Sequence, residues 1–222
     1  MSILVYKDRA IAGAAASTLL AAQIIEKPAS VMGFDCADEL LPVYRALARM
    51  SKDGLLDWSE VRTFNLSEKV RADSDSSISM QMKENLYDNV NVLKENIYEP
   101  LADTTDWSIA CNSFENEILQ KGGLDMVFLN IAKDGSLAFN QGAQELAPVT
   151  HVERTSNGRI VTVGLSTIMA AKKIVAIVSG EDKADIAGSI FHGPVTPTVP
   201  ASYLQLHPNT VFLLDDEAAK EV

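Results

Sequence analysis

The sequence predicts an α/β fold with a mainly parallel sheet and helices on both faces. Short apolar runs alternate with longer segments of helix-forming composition, which is the rhythm of consecutive βα units. The chain has 222 residues, and 47% of them are hydrophobic, which is enough for one sizeable core. We therefore expect one domain that spans residues 1–222.

Runs rich in aliphatic and β-branched residues are predicted to be strands. They are Ile3–Tyr6, Ser30–Phe34, Val61–Leu66, Met126–Ile131, Arg159–Val163, Ile174–Ser179 and Thr210–Leu214. Segments between them have the composition of helices. They are Asp8–Glu26, Asp38–Met50, Ser77–Asp88, Ser108–Gln120, Leu165–Ala171 and Lys183–Phe191.

The ends of several elements also follow from residue type. Asp8 is placed to cap the first helix, and Gly54 follows the second helix, where a left-handed residue is favoured. The polar residues 71–77 predict a surface loop that ends in a helix cap, and the proline-rich residues 193–200 predict a rigid connection. The acidic residues 215–222 are expected to fray.

In an open sheet of this kind, ligands bind beyond the carboxyl ends of the strands. The loops that follow the predicted strands are therefore the places to look for a functional site. They comprise residues 35–39, 67–73, 132–142 and 180–184.

Charge and cysteine content exclude some classes of partner. The formal charge of −11 and the pI near 4.7 predict no nucleic-acid or membrane partner, since both need clustered Lys and Arg. Cys36 and Cys111 lie far apart without metal-ligand spacing, which favours a reducing, cytoplasmic setting. The N-terminal residues lack the order of a signal peptide, and no apolar run approaches the ~20 residues of a membrane helix.

The sequence also lacks the common signals of a cofactor. His151, His192 and His207 do not have the spacing of metal ligands, and the Leu-His-Pro segment at His207 is interpreted as structural. Neither a GxxxxGK[ST] nor a GxGxxG motif occurs. We therefore expect no cofactor and no metal.

Residues 133–141 read Lys-Asp-Gly-Ser-Leu-Ala-Phe-Asn-Gln. This loop resembles the Asp-Gly-His-Ile-Ala-Phe-Asn-Glu loop of the glucosamine-6-phosphate deaminase/isomerase family, which is related more distantly to the 6-phosphogluconolactonases. Residues 54–66, 122–129 and 193–208 are similar to further segments of that family, in the same order. The chain is identified as a divergent member, and the resemblance implies a Rossmann-like fold and a sugar or sugar phosphate as ligand.

The resemblance implies a catalytic loop in which two functional groups are replaced. The family loop uses a His and a Glu to assist opening of the sugar ring, and Ser136 and Gln141 stand in their places. Neither side chain can carry a proton near neutral pH. Asp134 matches the Asp of the loop, and Lys183 matches a basic residue that the family directs toward phosphate.

A third replacement concerns the carboxylate that the family uses to move the proton at C2 of the sugar. The family segment reads Asn-x-Asp-Glu-Tyr, and Ser67 stands at the position of its base. Glu68 is the next residue, but neighbouring side chains on extended backbone point to opposite faces. Glu68 is therefore expected to be structural or exposed.

A fourth replacement changes the phosphate loop after the second strand. The family reads Gly-Leu-x-Thr-Gly-Ser-Thr-Pro there, whereas this chain carries Asp35, Cys36, Asp38 and Glu39. Like charges ~4 Å apart cost about 1 kcal/mol in water, so the three carboxylates disfavour a bound phosphate. Asp38 and Glu39 are also expected to cap the following helix, and the nearby carboxylates disfavour a nucleophilic Cys36.

These acidic side chains leave another ligand class open. A cluster of Asp35, Asp38, Glu39, Glu68 and Asp134 would suit a cation or an amine-bearing ligand. This holds only if the fold brings the five side chains together, which their spacing in the sequence does not establish.

Several functions remain open on the sequence alone. In the first, the chain is a catalytically impaired family member that binds a sugar or acts as a regulatory or partner protein. In the alternative, it is an active isomerase or deaminase of an unphosphorylated amino sugar, with Glu68 or Asp134 as base. A third possibility is a structural subunit of an assembly. A homo-oligomer, or a pair with an active relative, is compatible with a role in partnering or assembly.

Overall fold

The structure, a computed structural model, describes residues 1–70, 77–156 and 158–222. Within these residues the strands are β1 (Ser2–Tyr6), β2 (Val31–Phe34), β3 (Arg62–Asn65), β4 (Ser67–Lys69), β5 (Ile97–Tyr98), β6 (Met126–Asn130), β7 (His151–Thr155), β8 (Gly158–Thr162), β9 (Ile174–Val178) and β10 (Thr210–Asp215). The α-helices are α1 (Arg9–Glu26), α2 (Leu41–Lys52), α3 (Ile78–Asn85), α4 (Trp107–Gln120), α5 (Leu165–Met169) and α6 (Ala184–His192). No helix in the described ranges is long and apolar enough to span a bilayer.

The larger sheet has seven strands in the order β1-β10-β9-β6-β2-β3-β5, and every neighbouring pair is parallel. Helices α1, α2 and α3 contribute to the core on one face, and α4, α5 and α6 contribute to the core on the other. The predicted fold class is confirmed. The carboxyl ends of the parallel strands lie at one edge of the sheet, where the four candidate loops begin.

The central strands explain why the sheet holds together. All residues of β6 and of β9 are buried, as a parallel strand that is covered on both faces requires. Alternate side chains of β6 lie in the two hydrophobic cores, because successive residues of a strand point to opposite faces of the sheet. Phe128 packs edge-on against Tyr44, with ring centroids 5.9 Å apart, while Leu129 lies in the opposite core.

A smaller antiparallel sheet has the strand order β4-β8-β7. The predicted strand Arg159–Val163 belongs to this sheet, as β8, and not to the parallel sheet. β4 follows β3 after a single residue, and it pairs Ser67 with Thr162 and Glu68 with Val161 of β8. The passage of the chain from one sheet to the other therefore holds both candidate residues close to the carboxyl end of β3.

The predicted helix ends at Asp8 and Gly54 are confirmed. Asp8 accepts a backbone hydrogen bond from the first turn of α1 at 2.9 Å, and Gly54 adopts a φ of 75° after α2. Ser77 caps α3 through its hydroxyl. The rest of the predicted surface loop, residues 71–76, lies outside the described residues.

The expectation that the C-terminus frays is wrong. Residues 218–221 form a 3₁₀ turn in which Ala218 is fully buried. The Asp215 carboxylate accepts hydrogen bonds from the backbone N–H of Gly180 at 3.0 Å and of Ala218 at 2.9 Å. These bonds fasten the last turn to the edge of the sheet.

Candidate active site

The loop after β6 has a tightly defined backbone. Gly135 adopts a φ of 78°, and a Cβ at this position would lie 2.8 Å from a methyl group of Val199. Asp134 Oδ1 accepts a hydrogen bond from the N–H of Ser136 at 3.0 Å, which closes a local turn. The proline-rich residues 193–200 thus pack directly against the loop, at a position where only glycine fits.

Two consecutive residues of the same loop hold left-handed backbone conformations, Ala138 with a φ of 45° and Phe139 with a φ of 67°. Such conformations cost of the order of 1–3 kcal/mol each and persist when the surroundings fix them. Here Asn140 Nδ2 donates to the carbonyl of Val163 at 2.9 Å, and the Thr162 hydroxyl donates to the carbonyl of Ala138. Backbone strain held in this way is typical of functional sites.

The three loop positions implied by the resemblance lie in different environments. Ser136 is buried and lines a cavity of about 170 Å³, whereas Asp134 and Gln141 are exposed. Ser136 is therefore the one of the three that borders an enclosed space. Its hydroxyl can form hydrogen bonds to a ligand, but it cannot act as an acid or base at neutral pH.

Ser67 is closed off from solvent. Its residue surface is 1% exposed, and its hydroxyl has no hydrogen-bond partner in the part of the chain that the structure describes. Ser67 also does not line the 170 Å³ cavity. The position that the resemblance assigns to a proton-transferring carboxylate is therefore held by a small, enclosed hydroxyl.

The Glu68 carboxylate binds the N-terminus of α3. It accepts hydrogen bonds from the backbone N–H of Ile78 at 2.9 Å and of Ser79 at 2.7 Å, and from the Ser77 hydroxyl at 3.0 Å. A fourth hydrogen bond comes from the N–H of Lys69 at 2.8 Å. A carboxylate accepts about four such bonds, so the acceptor capacity of Glu68 is fully used. This placement agrees with the structural role that was expected.

Asp35 is buried, with 5% of its surface exposed, and it lines the same cavity as Ser136. Its carboxylate accepts hydrogen bonds from the N–H of Cys36 at 2.9 Å and from the N–H of Asn130 at 3.1 Å. Burial raises the pKa of Asp35 to about 6, against the opposing effect of these two hydrogen bonds. A strongly shifted carboxyl group beside a cavity is a candidate functional group.

Cys36 lines the cavity but is unsuited to nucleophilic chemistry. Its thiol donates to Gln81 Oε1 at 3.3 Å. Burial first, and then the negative charges of Asp35 and Asp38, raise the pKa of the thiol to about 12. The thiolate that a nucleophile needs is therefore strongly disfavoured.

The predicted capping role of Asp38 and Glu39 is wrong. α2 begins at Leu41 without a side-chain cap, and no acidic residue lies in its first turn. Glu39 turns instead toward Lys183, whose Nζ lies 3.3 Å from Glu39 Oε1 and donates to Asn130 Oδ1 at 3.0 Å. A long-range ion pair has displaced the local helix cap.

Lys183 is 4% exposed, which is unusual for lysine and requires that its charge be paired. Burial alone would raise the pKa of Glu39, but a backbone hydrogen bond and the positive charge of Lys183 outweigh it, so the pKa is lowered. Glu39 therefore stays ionised at neutral pH. The Glu39 carboxylate thus neutralises Lys183, the residue that the resemblance directs toward phosphate.

The five predicted carboxylates do not form one cluster. Asp35 lines the cavity, Glu39 forms an ion pair, Glu68 caps α3, and Asp38 and Asp134 are exposed. No group of three His, Cys, Asp or Glu side chains among residues 1–70, 77–156 and 158–222 is placed to hold a metal ion. The predicted cation cluster is therefore wrong, because the three loops that carry these carboxylates place them in different surroundings.

Asn130 is a site residue that the sequence reasoning missed. Its N–H donates to Asp35, its side-chain oxygen accepts from Lys183, and it lines the cavity. Asn130 is the last residue of β6, at the carboxyl end of an otherwise apolar strand. That position is the signal that could have identified it.

The fold and the carboxyl edge of the sheet define a class of protein: a Rossmann-like α/β protein with a small cavity at the carboxyl ends of its parallel strands. Residues 39–213 match the family described as glucosamine-6-phosphate isomerases/6-phosphogluconolactonase. The chain belongs to this family, as the loop of residues 133–141 indicated.

Relatives and solved structures agree with this assignment. The glucosamine-6-phosphate deaminase of Clostridioides difficile (strain 630) is 33% identical, over 100% of this chain and 97% of the relative. That of Thermoanaerobacter pseudethanolicus is 34% identical, over 92% of this chain and 88% of the relative. A monomeric glucosamine-6-phosphate deaminase shares the fold with a TM-score of 0.95, at 24% identity over 100% of both chains. A 6-phosphogluconolactonase from Thermotoga maritima has a TM-score of 0.80, at 18% identity over 97% of this chain and 99% of its own.

Proposed function

We propose that this chain is a homologue of the glucosamine-6-phosphate deaminases in amino-sugar metabolism that binds a sugar but is catalytically impaired. The observation that carries the proposal is the state of Ser67, a hydroxyl that is enclosed and lies outside the cavity. A general base must lie within hydrogen-bond reach of its proton and have a pKa near the working pH. Ser67 meets neither condition.

The nearby carboxylates do not replace it. Glu68 is filled by four hydrogen bonds, and it would have to release the N-terminus of α3 before it could accept a proton from a ligand. Asp134 is exposed, and one of its oxygens holds the turn at Ser136. Both side chains therefore support the loop structure rather than proton transfer.

The anion-binding part of the site supports a ligand without phosphate. A phosphate that approached Lys183 would have to displace Glu39, and it would meet the carboxylate of Asp35 nearby. Like charges ~4 Å apart cost about 1 kcal/mol in water and several times more when they are partly buried. An uncharged or cationic sugar avoids this repulsion.

The proposal extends to the setting of the protein. We place it in the cytoplasm, as a regulatory or partner protein that forms a homo-oligomer or pairs with an active relative. The thiols of Cys36 and Cys111, which are buried and form no disulfide, support a reducing compartment.

One observation favours a second function, an active isomerase or deaminase of an unphosphorylated amino sugar. Asp35 is a buried carboxylate that lines the cavity, and its pKa of about 6 is suited to a general base. It would take the role that the sequence alone offered to Glu68 or Asp134. The two functions differ in whether the bound sugar is converted.

A turnover assay tests the proposed function. Ammonia release from glucosamine 6-phosphate is measured for this protein and, in parallel, for the C. difficile deaminase as a positive control. We expect release no faster than the blank reaction. A turnover number in the ordinary enzyme range, about 1–10³ per second, would overturn the proposal.

The same assay with free glucosamine tests the second function. Ammonia release by the wild-type protein that is lost in Asp35→Asn would establish the active alternative. If neither sugar releases ammonia and free glucosamine yields no ketose, conversion of these two amino sugars is excluded and the impaired function is supported.

A further inference from the structure

The cavity at the carboxyl edge contains an ionisable group for which impaired catalysis gives no role. Asp35 faces this space of about 170 Å³ together with the polar side chains of Asn130 and Ser136. The remaining lining residues are small or apolar, except for the Cys36 thiol. They are Cys36, Ala37, Ala132, Ala138 and Phe139.

Asp35 has no ion-pair partner among the described residues. The nearest cation, Lys183, already binds Glu39 and Asn130. A carboxylate accepts about four hydrogen bonds, and Asp35 receives only two, both from backbone N–H groups. Buried charges in proteins are normally paired, so a buried carboxylate with free acceptor capacity beside a cavity lacks a partner.

We propose that this cavity binds the ammonium group of a small polyhydroxylated ligand without phosphate, with Asp35 as the counter-ion. The inference rests on the proposed function and names the ligand class of the same site. Asn130 and Ser136 supply hydrogen bonds to the hydroxyl groups of the ligand.

Charge selects an amine over the other ligand classes. An anion would be repelled by Asp35, and Lys183 is neutralised by Glu39 and so cannot compensate. A divalent metal ion needs several oxygen ligands, and no group of three candidate ligands exists in the described part of the chain. An ammonium group supplies one positive charge and three donors, which matches a single carboxylate with unfilled acceptor sites.

The size of the cavity and the rigidity of its wall point to a small ligand. Drug-sized ligands occupy cavities of roughly 300–1,000 Å³, so this cavity admits no more than a monosaccharide or part of one. Ala138 and Phe139 form one wall, and the hydrogen bonds of Thr162 to Ala138 and of Asn140 to Val163 fix this left-handed segment from outside the cavity. The wall is therefore formed before the ligand arrives, which lowers the entropic cost of binding.

Calorimetric titration with two matched probes tests the proposal. Glucosamine carries the ammonium group, and glucose is the same size without the charge. We expect glucosamine to bind at least tenfold more tightly than glucose. Asp35→Asn, which keeps the size of the side chain, should weaken glucosamine by about 10–100-fold and leave the weak binding of glucose unchanged. Asp38→Asn, an exposed neighbour in the same loop, should change neither affinity.

Equal affinities for the two sugars, or unchanged glucosamine binding in Asp35→Asn, would overturn the inference. So would the absence of glucosamine binding to the wild-type protein. The comparison of the two sugars on the wild-type protein stands even if the variant fails to fold. Because binding is measured without turnover, rapid deamination of glucosamine 6-phosphate would overturn the proposed function while leaving the amine preference to be judged separately.

Discussion

At the scale of single residues, Asp35 makes the stability of the fold depend on pH. Burial raises the pKa of Asp35 from 3.8 to about 6. The titratable groups around its carboxyl are Glu39, Lys183, Cys36 and the Tyr44 hydroxyl. The folded protein therefore retains a proton that the unfolded chain has lost. This contribution to stability is complete below about pH 4 and is lost as pH rises through 6, by about 3 kcal/mol.

Urea unfolding of the wild type and of Asp35→Asn across this pH range checks the prediction. The free energy of unfolding of the wild type, relative to that of the variant, should fall between about pH 4 and pH 7. The difference isolates Asp35, because groups such as Glu39 titrate in both proteins. Asp38→Asn serves as the exposed control and should follow the wild type. Parallel curves for wild type and Asp35→Asn would contradict the raised pKa.

Ser67 gives a second prediction at this scale, because its hydroxyl is enclosed and without a partner in the described residues. Ser67→Ala removes a group that makes no hydrogen bond and should change the free energy of unfolding by no more than about 0.5 kcal/mol. Ser67→Asp, which restores the family residue, places a carboxylate where nothing pairs with it and should cost at least about 2 kcal/mol. Chemical denaturation measures the free energy of unfolding of both variants. If Ser67→Asp left it unchanged, the position would have to open readily to solvent.

Glu39 gives a third prediction, on anion binding. Glu39→Gln leaves Lys183 buried without its counter-charge, so the variant should lose about 1–3 kcal/mol of stability. Inorganic phosphate should restore part of this loss, since the freed ammonium attracts it while Asp35 still opposes it, whereas the wild type should not respond. Thermal unfolding with and without phosphate measures both effects. Glu181→Gln, which removes an exposed partner of Lys220, is the control, and an equal response there would refute the assignment.

At the scale of elements, Glu68 determines whether α3 stays attached to β4. Glu68→Ala removes the acceptor for three donors at the N-terminus of α3 and should cost about 1–3 kcal/mol. Glu68→Gln keeps the shape and should cost less. Glu84→Ala, on the exposed face of the same helix, should be nearly neutral. Denaturant unfolding compares the three variants. If Glu68 had no structural role, Glu68→Ala would leave the free energy of unfolding unchanged.

The sequence located most elements because their patterns are strong. All predicted helices and strands have counterparts, and the inner strands β2, β6 and β9 are fully buried apolar runs with clear ends. β4, β5 and β7 were missed for a physical reason. β5 has two residues, β4 has three polar ones, and β7 is a polar partner of β8, so none carries enough apolar periodicity to be recognised.

Features of the site could be predicted only where they depend on the type of a single residue and not on contacts made by the fold. The acidic character of residues 35–39 follows from the sequence, whereas the replacement of the family base by Ser67 is what the resemblance implies. The partner of Glu39 did not follow, because Lys183 lies 144 residues away and only the fold brings the two together. A local rule, helix capping, gave way to a long-range ion pair.

At the scale of the whole molecule, the fold is shared with relatives whose sequences differ at most positions. A TM-score of 0.95 at 24% identity shows that the cores and strand order tolerate most substitutions. Cores need apolar volume in the right pattern, whereas proton transfer needs particular groups at particular points. The fold can therefore persist through the replacements that the resemblance implies at Ser67, Ser136 and Gln141.

The last strand links both ends of the chain into this fold. β10 lies between β1 and β9, and β1 has no other partner in the described sheet. Phe212 and Leu214 lie in one core and Leu213 in the other. Full burial of one such side chain stabilises by about 1.5–3 kcal/mol, so these three contribute an amount comparable with the roughly 5–15 kcal/mol stability of a domain.

A chain that ends at Asn209 should consequently fail to fold, since it exposes both cores and leaves β1 unpaired. A chain that ends at Glu217 keeps β10 and the bond from Asp215 to Gly180, and it loses only the last turn with Ala218. It should fold with reduced stability. Circular dichroism during heating distinguishes the two: we expect a cooperative transition for the longer chain and none for the shorter one. A cooperative transition of the shorter chain at the wild-type temperature would show that β10 is dispensable, whereas recovery on adding a peptide of residues 209–222 would show that the strand itself completes the fold.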